Sequence, residues 1–176
     1  MESAGQADRL DEGVFATEAQ RVCLETIAAM LMAAGHEPRR PAVRLPILTL
    51  TLAGTTVAIE VQPYDATETW VGVYSYVVTG CPLAPDLLLY LLRENFAVRF
   101  GVFAIAGAGD VVFRARLLGS TCTAEKLLAV VNEVVAVTTQ WEQPIVENWG
   151  GERAADRLCY PDVGPPSPPQ LPAAAL

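Results

Sequence analysis

Two rhythms of apolar residues alternate along this chain, one stepping by three and four, the other by two. Thr17-Glu18-Ala19-Gln20 has the capping-box form, a hydroxyl bonding forward to a backbone N–H while Gln20 bonds back, and it opens a helix over 17–34 that Gly35 ends. Cys23, Ile27, Met30, Leu31 and Ala34 form its apolar stripe, with Gln20, Arg21 and Glu25 on the wetter side. The rhythm then shortens. Leu48, Leu50 and Leu52 alternate with Ile47, Thr49 and Thr51, Gly54 turns the chain, and Val57, Ile59 and Val61 alternate with Ala58, Glu60 and Gln62, which predicts two paired strands over 47–52 and 56–62. A third strand over 70–78 is apolar on both sides, with Trp70, Tyr74, Tyr76 and Val78 opposite Val71, Val73 and Val77.

The stretch 83–118 reads as a helix, a stop and a hairpin. Pro85 suits a first helical position and Asp86 the positive end of the helix dipole. Leu87-Leu88-Leu89-Tyr90-Leu91-Leu92 follows with no polar face, so this helix must be covered on several sides. Arg93-Glu94-Asn95 is the expected stop, since Asn tolerates the left-handed conformation beyond a helix end. Strands over 98–105 and 111–118 are joined by Gly107-Ala108-Gly109-Asp110, whose glycines permit a tight turn. Thr121 or Thr123 caps a last helix that Pro144 kinks or ends. The predicted fold class is α+β, an antiparallel five-stranded sheet flanked by helices in the order α-β-β-β-α-β-β-α. It occupies a single domain over 16–151, after a flexible terminus over 1–15 and before an extension over 152–176. That extension adds a short amphipathic turn and then a proline-rich tail too poor in buriable residues to order itself.

Composition narrows the function classes. A net charge of -8 opposes binding to phosphate backbones, and the one dense basic group, Arg39, Arg40 and Arg44, reads as a solvated loop. Hydrophobic residues nevertheless make up 52% of the chain, more apolar surface than a polar exterior needs, and some of it is expected to be covered by another polypeptide. Cys23, Cys81, Cys122 and Cys159 lack Cys-x-x-Cys spacing and read as free thiols in a reducing compartment. The acidic amino terminus is unlike a secretory signal, and no apolar run is long enough to span a bilayer, so the expectation is a cytoplasmic protein without membrane contact. His36, the single histidine, lies in a loop with no nucleophile elbow, metal motif or phosphate loop elsewhere, and Glu60 reads as an outward strand carboxylate. No catalytic residue, metal or cofactor is expected.

Leu91-Leu92-Arg93-Glu94-Asn95, Arg99-Phe100-Gly101-Val102-Phe103, the glycine turn with Asp110 and the long helix from Thr123 together resemble the YbjN family of bacterial proteins. The element order is similar to that of class I type III secretion chaperones, which that family resembles in fold. The resemblance implies a small acidic homodimer that binds a client polypeptide without chemistry. The sheet residues expected at the client or dimer interface are Phe103, Ile105, Trp70, Tyr74 and Tyr76, with Phe103→Asp expected to spare the fold and abolish capture. A small-molecule-sensing regulatory domain in stress or signalling, with its ligand between sheet and last helix, is the alternative.

Overall fold

The first helix, α1 (Glu18–Ala33), begins at the capping pattern, with the Thr17 hydroxyl accepting the Gln20 N–H at 3.1 Å. The structure is a computed structural model that describes residues 14–41, 45–107 and 109–154. Six strands form one antiparallel sheet: β1 (Ile47–Leu52), β2 (Thr55–Pro63), β3 (Thr69–Thr79), β4 (Val102–Ala106), β5 (Asp110–Leu118) and β6 (Glu152–Arg153). Their order is β1-β2-β3-β5-β4, and β6 pairs with Val78 and Thr79 of β3, past Tyr74 where the pairing with β2 ends.

Helices α2 (Pro85–Ala97) and α3 (Ala124–Trp149) join α1 on one face of this sheet. Leu24, Ile27 and Leu31 of α1, Leu87 and Leu91 of α2, and Leu127, Val131 and Val134 of α3 meet the inward residues Ile59, Val73 and Phe113 in a continuous core. The opposite face carries a smaller cluster of Ile47, Ala58, Tyr74, Tyr76, Ala106, Val112 and Ala154. Thus β3 is buried on both sides, as its sequence requires, and sits at the centre of the sheet. The α+β class and its element order stand as expected, with β6 as a sixth strand.

Several details differ from the sequence reading, each for a physical reason. Gln20 is only 3% exposed, because its amide donates to the Val61 carbonyl at 2.7 Å. Its other amide atom accepts from Ala16 N–H, so the return bond of the capping box falls one residue before Thr17. Helix α2 does not stop at Asn95 but continues through Ala97, and β4 starts at Val102 instead of residue 98. Asn95 fastens that crossover: its side chain accepts from the Phe103 N–H at 2.5 Å and donates to the Phe103 carbonyl at 3.3 Å. Gly101 makes the sharp entry into β4, at φ +103°, with the Arg114 backbone so close that any side chain would collide with it. An irregularity between Tyr76 and Val78 shifts the β3–β5 register, and Val78 joins Val77 in the helix-side core instead of sharing a face with Tyr76. Helix α3 is capped by Thr123 and passes through Pro144 without ending, since Val137, Thr138 and Ile145 are buried on either side of the proline and hold both halves down. The proline-rich tail, the 1–13 segment, Arg44 and Cys159 lie outside the described residues.

Glu60 is also not the solvated carboxylate its strand position suggested. It is 6% exposed on the face opposite the helices, accepting a hydrogen bond from the Gln62 amide at 2.9 Å. Burial pushes its carboxyl above the ordinary value of 4.5, against the opposing pull of Gln62, Arg114 and Arg116.

Two expectations follow from these contacts. Asn95→Ala leaves the Phe103 backbone groups without their partner and should lower stability by about 1–3 kcal/mol in urea unfolding, with an unchanged m-value. For Glu60, the folded form keeps its proton at pH values where the unfolded chain has released it. Stability therefore falls as pH rises from about 4.5 through the raised folded value, and the penalty persists above it. Glu60→Gln, which keeps an acceptor for Gln62, should melt higher than the parent at pH 7, and the difference should vanish below about pH 4.

Candidate interaction surface

The apolar run of α2 is two helical stripes back to back. Leu87 and Leu91 point into the core, while Leu88, Leu89, Leu92 and Phe96 recur at one-, three- and four-residue steps on the other side and face outward. Leu92 is 67% exposed and Phe96 is 96% exposed. This stripe is comparable with the largest apolar patches that monomers carry, roughly 300–600 Å². Among the described residues, the all-round cover that the sequence called for is therefore supplied on one side only. Two contacts hold α2 in this orientation: the Trp149 indole N–H donates to Asp86 at 2.9 Å, holding that carboxyl below its ordinary range, and the Tyr90 and Trp149 rings lie 5.0 Å apart.

Helix α2 packs beside β4, the last strand of the sheet, and the segment joining them exposes Phe100 and Val102. Because β4 begins at Val102, opposite Arg114, it leaves β5 without a neighbour on that side from Ala115 to Leu118. A groove of about 380 Å³ opens at this step, lined by Gly101, Val102, Arg114, Ala115 and Arg116. Next to it on the same sheet face, the Arg116 guanidinium lies 4.7 Å over the Trp70 ring, and Tyr64 meets the same ring edge-on at 5.8 Å. Trp70 is half-buried and Leu118, its partner across the strands, is exposed. Arg114 stands beside Arg116, and its burial and that neighbouring charge both push its pKa down. The open face thus combines an aromatic platform, an apolar step and two guanidinium groups.

The five sheet residues singled out from sequence do not share one surface. Phe103 is 6% exposed in the helix-side core, with its ring 5.1 Å from Phe113 and 5.9 Å from Trp141. A carboxylate there would test the fold and not an interface, because Phe103 is interior to the single chain. Ile105 is half-buried against the same core. Tyr74 and Tyr76 lie on the open face but are themselves buried in its cluster, and Trp70 is half-buried on that face. Sequence reasoning missed the outer stripe of α2 as a surface, although Leu88, Leu92 and Phe96 at four-residue spacing carried the signal. The space between the sheet and α3, where a small ligand was the alternative, is filled by Val73, Phe113, Leu127, Val131 and Val134. Among the described residues there is no group of three or more His, Cys, Asp or Glu side chains placed to hold a metal, and no helix is long and apolar enough to cross a membrane. His36 lies in the loop after α1, its backbone N–H donating to the Leu31 carbonyl at 3.0 Å.

No family model matches this sequence, and no curated protein sequence matches it. Eight chains of solved structures do match. One of them, a chain in the crystal structure of the ExsC–ExsE complex, aligns with a TM-score of 0.55 at 16% identity, over 69% of this chain and 95% of its own length. A likeness at that identity speaks to architecture: the chain shares the α+β fold of that neighbour, with the element order its sequence had suggested.

Proposed function

We propose that this chain is a non-enzymatic, chaperone-like adaptor that pairs with a second copy through the outer stripe of α2 and holds a client polypeptide on the open face of its sheet. The observation that carries this reading is the exposed row of Leu88, Leu89, Leu92 and Phe96 on an otherwise well-packed helix. A stripe that joins a twofold partner meets its own copy, so a row of similar apolar side chains is self-complementary. A stable pairing needs about 800 Å² from each copy, which the stripe and the neighbouring Phe100 and Val102 can begin to supply. The structural neighbour comes from a complex of two proteins, which supports a partner-binding role here too. The narrower likeness to the YbjN family rests on Asn95 and Phe100-Gly101, and two of these, Asn95 and Gly101, shape the α2–β4 crossover that orients the stripe.

On the open face, Trp70 and Leu118 offer apolar contact, and Arg114 and Arg116 offer charge to an extended segment that carries a carboxylate. The homodimer, the client and a cytoplasmic setting belong together in this reading. No step in it calls for a cofactor, nucleic acid or membrane.

The experiment is light scattering on the full chain. The parent protein should run with the mass of two copies at micromolar concentration, and Leu92→Asp should reduce it to the single-chain mass of 18.8 kDa with an unchanged far-ultraviolet spectrum. A parent that is a single copy at those concentrations would remove the stripe as a pairing surface. Arg116→Glu should keep the dimer and weaken binding of the protein that co-purifies from its own cells.

A further inference from the structure

At the end of the sheet away from α2, helix α1 and the turn after β5 enclose a second groove of about 250 Å³, whose lining includes Cys23, Met30, Glu68, Ser120 and Cys122. Two thiols from distant parts of the sequence meet there. Cys23 Sγ lies 3.2 Å from the point that a Cβ on Gly119 would occupy, so the sulfur is packed directly on the backbone of the turn Gly119–Thr121. The Cys122 N–H donates to the Gly119 carbonyl at 3.2 Å, which closes that turn and keeps residue 122 within about 7 Å of residue 119. The two cysteines are half-buried and border the same opening, where solvent and a small reagent can reach them. They are also close enough for the charge of one to act on the other. By contrast Cys81 is buried elsewhere, beside Gly109 and the end of α3.

We propose that Cys23 and Cys122 are a reversible dithiol pair, which closes to a disulfide by exchange with a small-molecule disulfide such as oxidised glutathione and thereby ties α1 to the β5–α3 turn.

Burial is the largest influence on both thiols and pushes both upward from the ordinary value of 9.0; a Thr69 hydrogen bond draws Cys23 down against the Glu68 carboxylate, and Lys126 draws Cys122 down against the charge of Cys23. Glu68 is fixed in place by the Ser120 N–H at 3.1 Å and by the Ser120 hydroxyl. Either thiolate can open the exchange; in one order, the Cys122 thiolate does so. It attacks one sulfur of glutathione disulfide, forming a Cys122–glutathione bond and releasing one glutathione thiolate, which takes up the proton Cys122 lost. The Cys23 thiolate then attacks Cys122 Sγ, the protein disulfide forms, and the second glutathione leaves with the proton from Cys23. Two electrons pass from the protein thiols to the glutathione sulfurs, and nothing else is consumed. A disulfide needs Cα atoms about 4.4–6.8 Å apart, so closing it requires α1 and the short turn to bring residues 23 and 122 within that range. The bond closes a loop on the order of 100 residues, the size class in which cross-links restrict the unfolded chain most.

The test stands apart from the adaptor reading, because it uses neither a client nor the dimer. The full chain is incubated with oxidised glutathione without oxygen, its remaining thiols are alkylated, and its peptides are mapped without reduction. A Cys23–Cys122 cross-link should form, reverse with reduced glutathione, and raise the Tm by several degrees. Its rate should rise about tenfold between pH 7 and pH 8, following the thiolate fraction. With one thiol removed the mixed disulfide cannot resolve, so Cys23→Ser should accumulate glutathione on Cys122 and Cys122→Ser should accumulate it on Cys23. Stable glutathione on both cysteines of the parent, a cross-link through Cys81 or Cys159, or no reaction of the folded protein would each overturn the proposal. The parent protein alone decides among these outcomes, even if a serine variant folds poorly.

Discussion

A strand that is apolar on both faces has to be covered twice, and β3 sets that requirement for the whole domain. Val71, Val73 and Val77 are satisfied by the three helices, and Tyr74 and Tyr76 by a second, smaller cluster across the sheet. The result is a lopsided molecule. Among the described residues, three helices occupy one side, and the other side is closed at its middle by Ile47, Ala58, Val112 and Ala154 among others. Toward the Trp70 end that face is open, and polar and aromatic groups replace the aliphatic ones: Gln62, Trp70, Arg114 and Arg116 in place of valines. A single fold therefore combines a stable interior with a sheet surface of mixed chemistry. Beneath α3 the interior is filled by packed side chains.

Helix α2 follows the same logic at the edge of the sheet. Burial of Leu87 and Leu91 fixes the helix, the Asn95 bonds to Phe103 fix its exit, and Trp149 fixes its start through Asp86 and Tyr90. With both ends secured, the backbone that carries the outer leucines and Phe96 is held in place, while their side chains stay exposed. The two surfaces on either side of β4 are linked by a short segment, so contacts made on α2 bear directly on the groove at Gly101 and Arg114.

Much of this was legible in the chain because period and capping are local signals. The strand alternations at Leu48-Thr49-Leu50 and Val57-Ala58-Ile59, the Thr17 and Thr123 caps and the double-sided third strand all correspond to what the structure shows. What failed depended on partners distant in sequence. Gln20 looked solvated until the Val61 carbonyl took its amide, and Glu60 looked solvated until the open-face cluster enclosed it. Asn95 was taken for a left-handed stop when its side chain was needed by a strand eight residues away. The candidate surface was only partly legible. Alternation told which residues share a face of a strand, but not which face the helices would cover, and Phe103 and Trp70 fell on opposite sides of that choice. An unbroken apolar run such as Leu87-Leu88-Leu89 hides the division into inner and outer stripes, which only the packing of α2 against the core reveals.

The pairing of β6 with the far end of β3 bears on how the domain is completed during synthesis. Residues Val78 and Thr79 leave the ribosome in the first half of the chain, yet their neighbours on one side, Glu152 and Arg153, emerge more than seventy positions later, after the whole of α3. Ala154, which fills out the cluster around Tyr74 and Tyr76, arrives last of the described residues. The central strand thus keeps an unpaired end and an incompletely covered tyrosine face until residues 152–154 have been made, a state in which exposed strand edges invite wrong partners. Completion of the sheet by β6 makes a chain that stops before residue 152 distinguishable from one that includes it at the very centre of the fold.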